Sequence, residues 1–182
     1  MNNTFTAKNL ALCGVLLCFL CISSKLAIPT PIAPFSLQFA CILLCILLLG
    51  ARLAAITIAL YILLGLMGLP VFASGGGLSY IVNPSFGYIL GFLLACFTVS
   101  IVYSKNKTYT LKKLWLTSVI VLITVHVSGL SYAYLINRFY LKSAVSIANL
   151  LVYGSLIFIP IDLIWCAIIP PICTKLPIKT IK

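Results

Sequence analysis

The segment from Gly68 to Phe92 reads GLPVFASGGGLSYIVNPSFGYILGF and joins two long apolar runs. It holds six of the chain's eleven glycines and two of its nine prolines, yet no charged side chain. Solvent-facing loops are polar, and membrane helices do not gather so much helix-breaking sequence. Irregular backbone persists at membrane depth only where protein buries it or where it lines a cavity, because lipid offers its N–H and C=O groups no partner. The segment therefore predicts a re-entrant or capping loop that lines a ligand site.

Composition sets the solvent. Of 182 residues, 63% are hydrophobic and 7% are Asp, Glu, Lys or Arg, against roughly 25% charged in soluble domains. The expectation is a single all-α integral membrane domain over residues 1–182. At about 20 residues per spanning helix, five to seven spans fit. The net charge of +11 arises from twelve Lys or Arg against one acid, Asp162. Nucleic-acid binding needs a basic patch on a wet face, whereas these cations flank apolar runs, so orientation in the bilayer accounts for them and no nucleic-acid partner is expected. All eight cysteines lie in or at the end of apolar runs. Cys18-Phe-Leu-Cys21 has no second pair at metal-site spacing, so the cysteines read as packing residues with no metal.

The apolar runs place six spans at about residues 7–27, 35–50, 52–69, 85–104, 113–136 and 144–172. Gly50-Ala51-Arg52 must turn tightly between the second and third. Pro160, Pro170 and Pro171 should interrupt the last, leaving it tilted or broken. With the amino terminus inside, the cytoplasmic side receives Lys8, Arg52, Lys105, Lys107, Lys112, Lys113, Lys175, Lys179 and Lys182. The outer side receives Lys25, Arg138 and Lys142, a bias that puts both termini in the cytoplasm of a multi-pass cell-membrane protein. No Ala-x-Ala-like site ends the first run, so it reads as a retained span rather than a cleaved leader. The extended segment Ile28-Pro-Thr-Pro-Ile-Ala-Pro34 follows it on the outer side, next to the glycine-rich loop.

Few residues can carry chemistry. Asp162 is the one carboxylate, and a charge inside a span costs about 2.5–3.5 kcal/mol on insertion scales, which marks it as functional by default. The alternative is an interfacial Asp paired with Arg138 or Lys142. His126 lies in mid-span; a proton relay needs a carboxylate or second histidine beside it, and the sequence shows none nearby, so an interhelical hydrogen bond is the reading. Gln38, Asn83, Tyr80 and Tyr88 cluster around the loops and could hold a neutral polar ligand head; alternatively the tyrosines belong to an aromatic belt. Ala7 and Ala11 stand four apart on the first span, a spacing that lets another helix approach. With no Gly-x-x-x-x-Gly-Lys-Ser/Thr, any ATP-driven step needs a partner subunit. One Asp and one His far apart in sequence argue against an enzyme.

Several motifs converge on one family. Gly68-Leu-Pro-Val-Phe-Ala73, the Gly75-Gly76-Gly77 cluster and Pro84-x-x-Gly-Tyr-x-x-Gly-Phe92 resemble BioY, the biotin-specific substrate-binding (S) component of energy-coupling-factor transporters. So do Ile28-Pro-x-Pro-x-x-Pro34 with Leu37-Gln38, Leu49-Gly-Ala-Arg-Leu53, and Tyr61-x-Leu-Leu-Gly-Leu-x-Gly-Leu-Pro70. The resemblance runs from about residue 7 to the last span. It implies a six-helix S-component bundle with outer-face capping loops, biotin as transported ligand and no cofactor. Its implied partners are a transmembrane coupling subunit, met at an Ala-x-x-x-Ala face matched by Ala7 and Ala11, and two ATPases. On this reading Gln38, Gly75, Gly76, Gly77, Tyr80, Asn83, Tyr88 and Asp162 surround the ligand.

Two departures bear on the ligand. The family commonly carries Lys three residues after the Asp of its last helix, where this chain has Trp165, and Thr-Gly-Gly-Tyr where it has Ser85-Phe86-Gly87-Tyr88. An anion in a dry pocket needs a cation or several donors. Lys25, at the outer end of the first span, is the candidate replacement; otherwise the ligand carboxylate stays near water, or the ligand is another vitamin or small amphiphile. A membrane assembly subunit without ligand is the remaining alternative.

Overall fold

The computed structural model describes residues 6–29, 32–102, 110–143 and 146–175. Thr30 and Pro31 of the proline-rich segment lie outside the described residues, as do Lys105, Lys107, Lys179 and Lys182. Helices dominate: α1 (Ala7–Lys25), α2 (Gln38–Leu66), α3 (Phe86–Val102), α4 (Leu111–Leu135), α5 (Ile147–Leu151) and α6 (Ile159–Lys175). A π-helical turn, Ile136–Tyr140, extends α4, and another, Val152–Leu156, leads from α5 toward α6. The one sheet among the described residues is a two-residue antiparallel ladder, β1 (Ala27–Ile28) with β2 (Phe35–Ser36), which ties off the proline-rich segment.

Among the described residues, four helical runs are long and apolar enough to cross a membrane: Ala7–Lys25, Gln38–Leu66, Leu111–Tyr140 and Ile147–Lys175; α3 is apolar but shorter. The second of these is not one rod. Gly50 sits at φ 77°, ψ 161°, and Gln38 Nε2 lies 2.7 Å from Tyr61 Oη. Twenty-three residues of straight helix would part those groups by about 35 Å. The chain therefore folds back at Gly50, whose backbone a side chain would strain, into antiparallel arms over 38–49 and 51–66. The expected spans fall on α1, these two arms, α3, α4 and the α5–α6 run, an arrangement compatible with six passages.

The molecule is apolar outside, and its largely apolar interior encloses a set of polar side chains. Leu10, Val15, Phe19 and Ile22 of α1, Ile123 and Val127 of α4, and Leu163, Ile164 and Ile168 of α6 are exposed, while Ser24, Gln38, Thr57, Ser118, His126 and Asp162 are buried. Water would penalise such a surface and lipid does not. Every buried side-chain N or O among the described residues has a hydrogen-bond partner, as a low-dielectric interior requires.

The prolines of the last span behave differently from expectation. Pro160 takes the second position of α6, where its missing N–H is no loss. Pro170 and Pro171 lie within α6, and the helix continues through them to Lys175. The irregularity falls upstream, in the turn over 152–158. Packed neighbours can hold a helix through such residues in a membrane.

Helix α3 runs against α4 at glycine contact distance. A Cβ on Gly87 would stand 2.2 Å from Tyr132 Cβ, and one on Gly91 would stand 2.2 Å from Ser128 Oγ and 3.1 Å from the Val125 backbone. Gly129 returns the contact, meeting the Tyr88 ring. Gly14, on the exposed side of α1, meets nothing within 4 Å. Gly87→Ala should thus lower stability by about 1–3 kcal/mol through overpacking, whereas Gly14→Ala should be neutral or stabilising by up to about 1 kcal/mol. Thermal unfolding in detergent compares the two; equal shifts would contradict the packing.

Candidate functional site

The glycine-rich loop is fastened to the helix ends by their side chains. Lys25 Nζ donates to Phe72 O at 2.7 Å, and Ser24 Oγ and Tyr61 Oη both donate to Val71 O. Tyr132 Oη reaches Ile81 O from α4. Phe72 is fully buried, edge-on to Tyr61 at 5.3 Å and tilted against Tyr80 at 4.6 Å. Its ring fills the space beside Gly65, where a Cβ would come within 2.0 Å of it. Backbone bonds close the rest: Phe72 and Gly75 exchange N–H···O contacts, and Gly77 N donates to Gly65 O. A Cβ on Gly76 would stand 2.1 Å from Leu69 O, so the close approach of the two backbones requires glycine there. Gly75 and Gly77 take positive φ.

Beyond this loop, a short helical turn (Leu78–Val82) carries Tyr80 into a cavity. Ala33, Pro34 and Ser36 bound it from the proline-rich side, and Ala73 from the glycine-rich loop. Phe39, Ile89, Phe92, Val125 and Phe158 supply apolar walls; Gln38, Tyr80, Ser85, Tyr88, His126 and Asp162 supply polar ones. The cavity volume is about 60 Å³, several times what one water needs.

Asp162 and His126 meet in the cavity wall. Asp162, in the first turn of α6, places Oδ2 3.1 Å from Nε2 of His126 on α4. Nδ1 of the same ring lies 2.9 Å from Ser155 Oγ, in the turn before α6. Facing an ionised carboxylate, the ring donates from Nε2; Nδ1 then accepts the Ser155 hydroxyl when neutral, or donates to it as imidazolium. Tyr88 stands edge-on to His126, ring centres 6.2 Å apart, and its hydroxyl donates to Gly154 O. Ser155, His126 and Asp162 match the residue types of a hydrolytic triad. Ser155, however, is buried and outside the cavity wall, so it presents no nucleophile to a substrate.

The expected site residues separate by position. Gln38, Tyr80, Tyr88 and Asp162 line the cavity. Gly75, Gly76, Gly77 and Asn83 do not; the glycines shape the loop, and Asn83 Oδ1 accepts from the backbone and hydroxyl of Ser85. Lys25 is exposed and spends its ammonium on the Phe72 carbonyl. Asp162 pairs with His126, not with Arg138 or Lys142, which are exposed. The carboxylate that His126 lacks in sequence is supplied by folding. Trp165 is half-buried against the core, outside the cavity wall. Ala7 and Ala11 lie exposed on one face of α1.

Known proteins share this fold. The model of the BioY family matches residues 1–179. The chain belongs to the BioY family. A probable biotin transporter BioY of Lysinibacillus sphaericus is 32% identical over 133 residues, covering 73% of this chain and 68% of its own. One from Pyrococcus horikoshii is 29% identical over 162 residues, 88% of this chain and 91% of its own. The crystal structure of an S-component for biotin from an ECF-type ABC transporter superposes with a TM-score of 0.79 at 24% identity, over 96% of this chain and 93% of that one. The fold is therefore that of a BioY-type S-component, and the chain is a multi-pass membrane protein of a transporter family.

Proposed function

We propose that this chain captures biotin for uptake, as the substrate-binding membrane subunit of an energy-coupling-factor transporter. The observation that carries the reading is the cavity itself: in a chain with one carboxylate, folding sets that carboxylate in the wall of a small, mainly apolar cavity capped by the family's two signature loops. Asp162 accepts hydrogen bonds from the ligand head, with Gln38, Tyr80 and Tyr88 around it and aromatic and aliphatic walls holding the body. Binding and conformational change suffice; the subunit performs no covalent step.

Charge supports the orientation. Lys8, Arg52, Lys112, Lys113 and Lys175 fall at the helix ends away from the loops, and Lys25, Arg138 and Lys142 at the loop end. With the more basic end inside, the cavity faces out and both termini are cytoplasmic. The exposed pair Ala7 and Ala11 then offers the coupling subunit a close approach on α1, and two ATPases complete the transporter.

Equilibrium titration of detergent-purified protein tests the ligand. Biotin should bind saturably to one site, and Asp162→Asn should weaken it roughly 10- to 150-fold, the loss expected for one charged hydrogen bond. A competing vitamin that displaces labelled biotin, or binds where biotin does not, would move the assignment to that vitamin, the outcome the Trp165 departure favours. Binding by no vitamin would overturn the reading.

Docking separates from capture. Ala11→Trp should leave biotin affinity unchanged and abolish co-purification with the coupling subunit and uptake into cells. Unimpaired uptake would exclude this face of α1 from the interface.

A further inference from the structure

Among the described residues, the side chains of the cavity wall offer hydrogen-bond acceptors and almost no donors. Ser36 Oγ gives its proton to Gln38 Oε1, and Gln38 Nε2 donates to Tyr61 Oη. Ser85 Oγ donates to Asn83 Oδ1, which leaves the Tyr80 hydroxyl as the donor in its 3.1 Å contact with Ser85. The Tyr88 hydroxyl is spent on Gly154 O. Both nitrogens of His126 are engaged, one by Asp162 and one by Ser155. Of the side-chain donors in the wall, one amide hydrogen of Gln38 is left, while the second oxygen of Asp162 and the phenol and hydroxyl oxygens retain lone pairs.

Charge points the same way. Among the described residues no lysine or arginine lines the cavity. With the carboxylate ionised, the Asp162–His126 pair carries a charge of minus one or zero, whichever form the imidazole takes. Lys25, the candidate replacement for the family's lysine, is exposed and bonded to the loop carbonyl it holds. A carboxylate brought into this cavity would lose its water and find neither a cation nor a set of side-chain donors among the described residues. A neutral group that carries N–H donors finds what it needs.

We infer that the site reads an uncharged, N–H-bearing head and does not read the ligand's carboxylate, so that carboxyl-blocked esters and amides of biotin are ligands alongside the free acid. This rests on the biotin reading and narrows it. The ureido ring goes to the acceptors, and the acid tail stays toward the loops and water, where an ester or amide costs nothing electrostatically.

Displacement of labelled biotin from the detergent-purified full chain tests it, with unlabelled biotin, biotin methyl ester, biotinamide and a ureido-N-methylated biotin as competitors. A charged hydrogen bond is worth about 1.5–3 kcal/mol, which is roughly a 10- to 150-fold change in affinity. The ester and the amide should therefore bind within about tenfold of the acid, and the N-methylated compound should fall beyond that. Lys25→Ala should change the affinities for acid and ester by the same factor. An ester and amide both more than about tenfold weaker than the acid, or a Lys25→Ala variant that weakens the acid alone, would overturn the inference while leaving biotin capture intact. Absence of any direct binding of labelled biotin would overturn both, and the direct titration distinguishes that case.

Discussion

Non-helical backbone inside a membrane protein must have every polar group met by protein, because each unmet group costs several kcal/mol. The segment between α2 and α3 meets that demand with borrowed side chains. Ser24 and Lys25 from the end of α1, Tyr61 from α2 and Tyr132 from α4 donate to its carbonyls. Phe72 sinks among Tyr61, Tyr80 and Phe86. Three helices and an aromatic cluster thereby fix one loop, and everything on the cavity side of that loop inherits its position.

The opposite wall is set by a second polar contact, between α4 and the start of α6. Asp162 and His126 are each costly in a low-dielectric interior and acceptable together. Their contact fixes how α6 enters against α4, with Ser155 and Gly154 in the irregular turn between α5 and α6 bonded to His126 and Tyr88. The cavity lies between a loop held by donors and a helix pair held by an ion-capable contact. Among the described residues, its side-chain donors are consumed in building those walls, and acceptors are left facing the cavity.

Sequence revealed the parts that are chemically unusual in their surroundings. Glycines and prolines in an apolar chain mark the loop, Gly50-Ala51-Arg52 marks the fold-back, and a solitary Asp162 marks the cavity. Lys25 was visible as an outer cation, yet only the fold shows that its ammonium serves the Phe72 carbonyl. His126 was visible but partnerless, because its carboxylate is 36 residues away and no local spacing links them. Phe39, Ile89, Phe92, Val125 and Phe158 carried no signal, since apolar residues are the common background of the chain. Pro170 and Pro171 misled for the opposite reason: a local helix-breaking rule yields where neighbouring helices hold the backbone.

The central claim is that the glycine-rich loop is a fixed wall of the site. Hydrogen–deuterium exchange on detergent-purified protein reads it directly at the amides of Phe72, Gly75 and Gly77, each bonded within the loop or to Gly65. The account predicts exchange as slow as in the α2 arm over 51–66, accelerated at these amides when Lys25 and Ser24 are both replaced by alanine. Exchange at the rate of an unstructured chain in the unmodified protein would contradict it.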